Sequence, residues 1–375
     1  YGARVGSDGS VRDPAGIAIS AAAGAQECPD VACDGTGYLV VWQDNRGGAY
    51  DIYAARVDSA GAVLDGSGFV ISGAASDQTH PAVAFDGTDY LVVWQDLRGG
   101  VACDVYGTRV SAGGTVLDPA GIAISTATGA QEYPAAVFNG AGYLVVWQDR
   151  RGGPYADIYA ARLATDGTVR DPAGLAVSAA SYDQLYPTLA FEGTYWVVAW
   201  QDMRRLATRP DIFAARVDTT GVVLDATGFV VSNESYNQLA PAAASGIPGQ
   251  TVIAYSSFTH APDYGSSRIW ANSYGTASGV PWDGLPGEPA KRLVITPNPA
   301  IGRVAFEVRL EPGEAASLKI FDVEGRLVAT LLDKAGPAED MRSVEIESDI
   351  TAPGIYFCRL EHSGRTEVRK LVVLR

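Results

Sequence analysis

A polar motif that returns four times carries the side chains most able to do chemistry. Each copy follows a Trp directly and reads Gln, Asp, any residue, Arg, and successive copies of this Trp are 52, 53 and 53 residues apart. The copies contribute Gln43, Asp44, Arg46; Gln95, Asp96, Arg98; Gln148, Asp149, Arg151; and Gln201, Asp202, Arg204. A ring of amides, carboxylates and guanidiniums could recognise a polar ligand such as a glycan. These residues are therefore candidate ligand-binding residues.

The repetition also has a purely structural explanation. An Asp that accepts backbone N–H bonds in its own turn and pairs with an Arg two residues later recurs wherever the turn recurs. An active site needs residues with different roles, so the places where the repeat breaks are informative. His80 stands where Tyr133 and Tyr186 stand in later repeats, and the fifth loop contains His260 and Asp263. We add His80, His260 and Asp263 to the candidate residues.

The elements that must position these loops are short β-strands. In the second repeat, Pro81 to Phe85 is an apolar run that ends in the hairpin turn Asp86-Gly87. Tyr90 to Trp94 is continuously apolar, which predicts a strand buried on both faces. Asp104 to Val110 alternates like a strand with one wet face, and Gly121 to Ser125 follows as a short fourth strand. Four antiparallel strands in about fifty residues predict one blade of a β-propeller.

The predicted fold is all-β. We expect a β-propeller over residues 1–280, a linker over 281–290 and a small immunoglobulin-like β-sandwich over 291–375. Five pairs of first and second strands predict five blades. Six third strands can be counted because Tyr1 to Val5 matches Asp51 to Val57, so six blades is the alternative. Gly16 to Ser20 is the candidate for the fourth strand that the last repeat lacks.

Charge divides the chain at the same boundary. Residues 291–375 hold 13 basic and 13 acidic residues, so the whole net charge of −15 lies on residues 1–290. An acidic body repels phosphate backbones, which argues against nucleic acid and anionic membranes as partners. No apolar run approaches the roughly 20 residues that a transmembrane helix needs. The chain begins at Tyr1 inside a repeat, so we expect a processed or partial sequence.

Motifs for catalysis and metal binding are scarce. A glycosidase would need two unlike carboxylates at a set separation, whereas most Asp residues here are repeated. The three histidines have no nucleophile motif beside them, and there is no C-x-x-C pair. Whether Cys28 and Cys103 pair stays open. We expect no cofactor and lean against an enzyme, with calcium as an alternative because Asp44 and Asp51 bracket a Gly-rich loop.

Two resemblances follow from longer motifs. F-D-G-T-D-Y-L-V-V-W-Q-D-L-R-G-G followed by D-V-Y-G-T-R-V resembles the WD40-like propeller repeats of TolB-like proteins, over residues 1 to about 275. In the tail, P-N-P-A, I-F-D-V-E-G-R-L-V, P-G-I-Y-F-C-R-L and R-K-L-V-V-L-R resemble the carboxy-terminal sorting domain of the bacterial type IX secretion pathway. The second resemblance implies type IX machinery as a partner, with export across the outer membrane of a Gram-negative bacterium.

The sequence therefore predicts a secreted or surface-displayed protein whose propeller is a binding or adhesion module for a glycan or a protein. A polysaccharide-active hydrolase or lyase, with its chemistry in the irregular fourth and fifth loops, is the first alternative. A structural subunit of an extracellular layer or fibre is the second.

Overall fold

The computed structural model describes residues 1–6, 8–205, 209–233, 237–247, 249–258 and 267–275, and in the tail residues 293–296, 303–308, 316–322, 326–334, 344–349, 354–362 and 365–373. All regular structure in these residues is β-strand. Contacts divide the chain into two units, Tyr1–Trp282 and Asp283–Arg375. The predicted linker, residues 281–290, lies outside the described residues.

Four sheets of four antiparallel strands follow one another in the first unit, with neighbouring strands in chain order. Their strands are β1 (Gln26–Cys33), β2 (Gly37–Asp44), β3 (Asp51–Asp58), β4 (Phe69–Ser72), β5 (Gln78–Phe85), β6 (Asp89–Asp96), β7 (Asp104–Ser111), β8 (Ile122–Ser125), β9 (Gln131–Phe138), β10 (Tyr143–Asp149), β11 (Asp157–Leu163), β12 (Leu175–Ser178), β13 (Gln184–Phe191), β14 (Tyr195–Asp202), β15 (Asp211–Asp218) and β16 (Phe229–Ser232). A fifth sheet contains β17 (Gln238–Ile247), β18 (Gln250–Phe258) and β19 (Ser267–Gly275).

Successive sheets pack face to face through their second strands. On one face of β6, Val92 and Trp94 share a core with Leu39 and Val41 of the preceding sheet. On its other face, Leu91 and Val93 share a core with residues of the following sheet. The prediction that Tyr90 to Trp94 is covered on both sides is confirmed, since all five residues are at most 1% exposed. The first strands β1, β5, β9, β13 and β17 lie against one another in turn, as innermost strands of a propeller do.

Residues 1–20 reproduce the second half of a blade. Val5 pairs with Val11 just as Val57 pairs with Val63 in the first full sheet. Ile19 packs in one core with Trp42 of that sheet. The expectation that Gly16 to Ser20 completes the last sheet is wrong, because Ile17 pairs with Gly2 in its own half-blade. Among the described residues, β19 is an edge strand that pairs with β18 alone.

The two ends of this series of sheets are less covered than its middle. Val31 of β1 is 54% exposed, whereas the equivalent Val83 is 7% exposed and is covered by the second strand of the preceding sheet. At the other end, Ile269 of β19 is 77% exposed, whereas the equivalent Val105 is fully buried. The first unit thus has a propeller-like fold, and the number of blades in a closed ring remains a prediction.

The second unit contains two antiparallel sheets. One consists of β20 (Leu293–Thr296), β21 (Arg303–Val308) and β24 (Val344–Asp349), and the other of β22 (Ala316–Asp322), β23 (Leu327–Lys334), β25 (Gly354–His362) and β26 (Arg365–Val373). Phe306 of the first sheet and Leu318 and Leu360 of the second are fully buried in one core. Immunoglobulin-like connectivity in this unit remains a prediction.

The four cysteines, Cys28, Cys33, Cys103 and Cys358, are free thiols. Within the described part of the chain there is no helix long and apolar enough to span a membrane.

Candidate functional site

The repeated Trp, Asp and Arg form one closed network in each sheet. Asp96 is fully buried, and its carboxylate accepts the Trp94 indole N–H at 2.8 Å. It also accepts the backbone N–H of Arg98 at 2.8 Å and that residue's Nη2 at 2.6 Å. The Arg98 guanidinium covers the Tyr106 ring at 4.1 Å and donates to the Ala120 carbonyl oxygen at 2.8 Å. Each ionic group therefore has its partner inside the protein.

The same network recurs in the other three sheets, which confirms the predicted Asp–Arg turn. It joins Trp42, Asp44 and Arg46; Trp147, Asp149 and Arg151; and Trp200, Asp202 and Arg204. All four carboxylates are fully buried. Desolvated, paired carboxylates stabilise their turns. Ligand binding through the Asp and Arg side chains of the motif remains a prediction, and their contacts here give them a structural role.

The motif's Gln residues connect neighbouring sheets. The amide oxygen of Gln95 accepts the backbone N–H of Tyr133 at 2.9 Å. The equivalent bonds run from His80 to Gln43 at 3.0 Å, from Tyr186 to Gln148 at 3.2 Å and from Ala240 to Gln201 at 2.6 Å. Each Gln thus holds the start of the next innermost strand.

The residue that each Gln holds has an unusual backbone conformation. φ is 50° at His80, 54° at Tyr133, 52° at Tyr186 and 48° at Ala240, and the first sheet has 49° at Cys28. A left-handed conformation costs a residue with a side chain about 1–2 kcal/mol. It occurs at the β-bulge where β5 and its equivalents lose register with the second strand. The five sheets share this backbone conformation, while the residue type is Cys, His, Tyr, Tyr and Ala in turn.

Three of these positions bring aromatic rings together. The His80 and Tyr133 rings meet edge to face with centroids 4.6 Å apart, and the Tyr133 and Tyr186 rings do so at 4.8 Å. We call these three residues the axial ring cluster, because the innermost strands carry them. Tyr186 is 41% exposed and the other two are half-buried, so the cluster presents ring surface to solvent.

Two carboxylates flank the axial ring cluster. Glu27 accepts hydrogen bonds from Gln43 Nε2 at 3.1 Å and from the Tyr50 hydroxyl at 3.0 Å. Glu132 accepts one from Gln148 Nε2 at 2.9 Å. The negative charges of both raise the pKa of His80, but burial outweighs them and the net pKa is lowered. His80 is therefore a neutral imidazole at pH 7, and its buried Nδ1 has no hydrogen-bond partner among the described residues.

Another repeated carboxylate, at the start of each third strand, has a raised pKa. Burial raises the pKa of Asp51, Asp104, Asp157 and Asp211. At Asp211 the pKa reaches about 6, because burial and the adjacent Asp202 charge outweigh the attraction of Arg205. Asp211 lies directly opposite Asp202 in the strand pairing.

This raised pKa predicts a pH-dependent loss of stability. The folded state holds the Asp211 proton more tightly than the unfolded state, whose pKa is near 3.8. Its contribution to stability is therefore present at low pH and is lost as pH rises through about 6. We expect Asp211→Asn to raise the free energy of unfolding by on the order of 1–2 kcal/mol at neutral pH and to change it little in acid.

Urea unfolding of both proteins across that pH range measures the effect. Asp218→Asn is the control, since hydrogen bonds from Thr220 lower the pKa of Asp218 and the sign is reversed. An Asp211→Asn gain that is the same at every pH would contradict the titration.

Two candidate residues, His260 and Asp263, lie outside the described residues. As for calcium, no group of three or more His, Cys, Asp or Glu side chains arranged to hold a metal occurs in the described part of the chain.

Of the side chains gathered at the axis, sequence reasoning chose His80 and missed Tyr133, Tyr186, Glu27 and Glu132. A usable signal was present: these positions follow the repeated connector Gln by one or two residues. Their residue types vary there while the surrounding motif stays fixed.

Comparison with known families identifies the tail. Residues 294–374 match the family described as "Secretion system C-terminal sorting domain", which confirms the predicted sorting domain. The domain indicates a secreted or cell-surface protein. A comparison with curated proteins finds no match. The WD40-like, TolB-type assignment of the repeats remains a prediction.

Solved structures similar to the chain include glycoside hydrolases. An endo-arabinase from Bacteroides thetaiotaomicron has 14% identity and a TM-score of 0.44, with 68% of this chain and 96% of that chain covered. An α-L-arabinofuranosidase from Lactobacillus brevis has 11% identity and a TM-score of 0.41, with 66% and 90% covered. An endo-1,4-β-xylanase from Bacteroides thetaiotaomicron has 10% identity and a TM-score of 0.40, with 66% and 89% covered.

Proposed function

We propose that the protein is an exported glycan-binding propeller whose ligand lies against the axial ring cluster. The observation that carries the proposal is the contact of His80, Tyr133 and Tyr186 in one partly exposed surface at the innermost strands. The sorting domain supports export through type IX machinery to the surface of a Gram-negative bacterium or into its medium. Such a location brings the propeller into contact with extracellular polysaccharides.

The chemistry of the cluster suits a sugar. A pyranose or furanose ring has an apolar C–H face and a polar edge of hydroxyls. Tyrosine rings give a rigid apolar surface with a polar tip, which is why they are frequent in binding sites. Glu27 and Glu132 supply acceptors for hydroxyl hydrogens, and each is held in place by a Gln amide. An anionic ligand such as a phosphate would be repelled by these carboxylates.

Hydrolysis of the bound glycan is a second candidate function, and one observation favours it. The position directly after the connector Gln is acidic in two sheets, as Glu27 and Glu132. The other three sheets have Thr79, Leu185 and Leu239 there. The two carboxylates flank His80, and the negative charge of each raises the pKa of its imidazole. Glycoside hydrolysis needs a pair of carboxylates on either side of the bond that is cleaved. In this second candidate, Glu27 and Glu132 are that pair.

Replacement of Tyr133, the central ring, tests glycan binding. We expect the wild-type protein to bind particular members of a glycan array. Tyr133→Ala should lower the affinity for them at least about tenfold, because it removes both the contact of this ring with the sugar and its support of the neighbouring rings. Tyr1→Ala is the control, since Tyr1 is 86% exposed and lies at a third-strand position of the amino-terminal half-blade, not on an innermost strand. If Tyr133→Ala and Tyr1→Ala both bind as tightly as the wild type, the axial ring cluster is ruled out as the binding surface.

The same ligands distinguish binding from turnover. Release of reducing sugar by the wild-type protein, lost in Glu27→Gln and Glu132→Gln while binding persists, would establish the hydrolase. Binding without release would establish the binding module.

A further inference from the structure

A second pair of aromatic rings lies on the same rim as the axial ring cluster. Tyr155 belongs to the loop between β10 and β11, and Tyr182 to the connector before β13. Their rings pack edge to face with centroids 5.4 Å apart. Tyr155 is 47% exposed and Tyr182 is 40% exposed, so the pair remains largely in contact with water. We call these two residues the outer ring pair.

The backbone at Tyr182 is strained without an evident gain in packing. In the first four connectors, the position two residues before the connector Gln is left-handed, with φ of 83° at Gly24, 65° at Ser76, 84° at Gly129 and 65° at Tyr182. Glycine adopts this conformation freely, whereas a side chain makes it unfavourable. The fourth connector has a Tyr at this position, where the first and third connectors have Gly. Strain that burial does not offset is typical of functional sites.

The outer ring pair is held in place by a polar brace. Asp183 Oδ1 accepts the backbone N–H of Ala156 at 2.9 Å and lies 3.3 Å from Arg150 Nη1. The same Arg150 nitrogen donates to the Pro154 carbonyl oxygen at 2.6 Å. These bonds tie the loop that carries Tyr155 to the connector that carries Tyr182. A surface fixed in this way loses little entropy when a ligand binds.

The brace also reaches the axial ring cluster. Arg150 Nε lies 3.9 Å from Glu132 Oε2, and Glu132 is adjacent in sequence to Tyr133. Arg150 therefore stands between the two aromatic surfaces, with side chains on both sides that can bond to sugar hydroxyls.

We infer that Tyr155 and Tyr182 form a second sugar subsite, which makes the ligand an oligo- or polysaccharide chain that extends from the axial ring cluster to the outer ring pair. The inference rests on the proposed function at the axis. The outer rings cover the C–H face of a sugar further along the chain, and Arg150 and Asp183 bond to hydroxyls between the two surfaces.

Titration with a ladder of linear oligosaccharides, from disaccharide to octasaccharide, of the composition found on the glycan array tests the inference. Two substitutions introduce the residue that another repeat has at the equivalent position. Tyr182→Gly matches Gly129, and Tyr155→Ala matches Ala102 in the loop of the second sheet. We expect each to lower the affinity for the octasaccharide about threefold to tenfold and to leave the disaccharide affinity unchanged. Tyr182→Gly should melt no lower than the wild type, because glycine relieves the strain.

The control is Val101→Ala, which alters a residue 96% exposed in the corresponding loop of the second sheet and should change neither affinity. Unchanged octasaccharide binding in both Tyr variants would overturn the second subsite and leave the axial proposal intact. An equal loss for short and long ligands, or a lower melting temperature in Tyr182→Gly, would assign the pair a structural role and also overturn the subsite. A wild-type protein that binds no member of the ladder would overturn the axial proposal and the second subsite together.

Discussion

Replacement of Trp94 by Ala is expected to lower the free energy of unfolding by about 3–5 kcal/mol. Trp94 is 1% exposed and packs against Leu39 and Val41 of the preceding sheet, so its removal leaves a cavity between two sheets. It also deprives the buried Asp96 carboxylate of the indole N–H that it accepts at 2.8 Å. Urea unfolding followed by circular dichroism measures the loss.

Trp270→Ala is the matched control. Trp270 lies in the last sheet and is 48% exposed, so the same substitution should cost less than about 1 kcal/mol. Equal losses in the two variants, or an unchanged stability of Trp94→Ala, would show that the tryptophans of the repeat do not form the core between sheets.

Deletion of Leu371 to Arg375 is expected to abolish export. The deletion removes Leu371 and Val373, which are 0% and 3% exposed in the core of the second unit, and with them the end of β26. Immunoblots of cells and medium, in a host with type IX machinery, measure the exported fraction. The truncated protein should accumulate inside the cells, and its circular dichroism should still report the strands of the first unit.

The control for export changes an exposed residue of the same unit. Val328 is 46% exposed, and Val328→Ser should be exported like the wild type. Wild-type export of the truncated protein would contradict the proposal that this domain is the sorting signal.

Strand positions in the propeller were predictable because the same hydrophobic pattern recurs in several repeats and each copy forms the same strand. Tyr90 to Trp94 is apolar throughout, and the structure buries it on both faces within β6. The Asp–Arg turn was predictable for the same reason. The Asp carboxylate accepts hydrogen bonds from the backbone N–H and the guanidinium of an Arg only two residues later in the chain. Both features depend on contacts close in sequence or on burial alone.

The axial ring cluster could not be predicted in the same way. His80, Tyr133 and Tyr186 each precede a proline, and a residue in that position favours extended backbone. Their left-handed conformation accompanies the β-bulge between the first and second strands, which the first sheet shares at Cys28, and a Gln amide from the preceding sheet accepts the backbone N–H, as for Gln95 and Tyr133, which are 38 residues apart. Local propensity does not reveal a bulge that arises from the pairing of two strands. The contact between rings of different sheets has the same origin.

The half-blade at the amino end illustrates a different limit. The sequence match of Tyr1 to Val5 with Asp51 to Val57 indicated a third strand, but pattern alone left its partner open. The structure pairs Gly2 with Ile17 and packs Ile19 against Trp42. The choice of partner is a matter of packing between sheets.

A crystal structure of the protein with a bound oligosaccharide would show whether the sugar lies against the axial ring cluster. We expect a sugar ring against Tyr133 and Tyr186, with hydroxyls within hydrogen-bond distance of Glu27 or Glu132. The Asp96 carboxylate and its equivalents should remain bonded to Trp and Arg as they are here. A sugar bound instead to the Asp and Arg side chains of the repeated turns, with the axial rings left bare, would contradict this expectation.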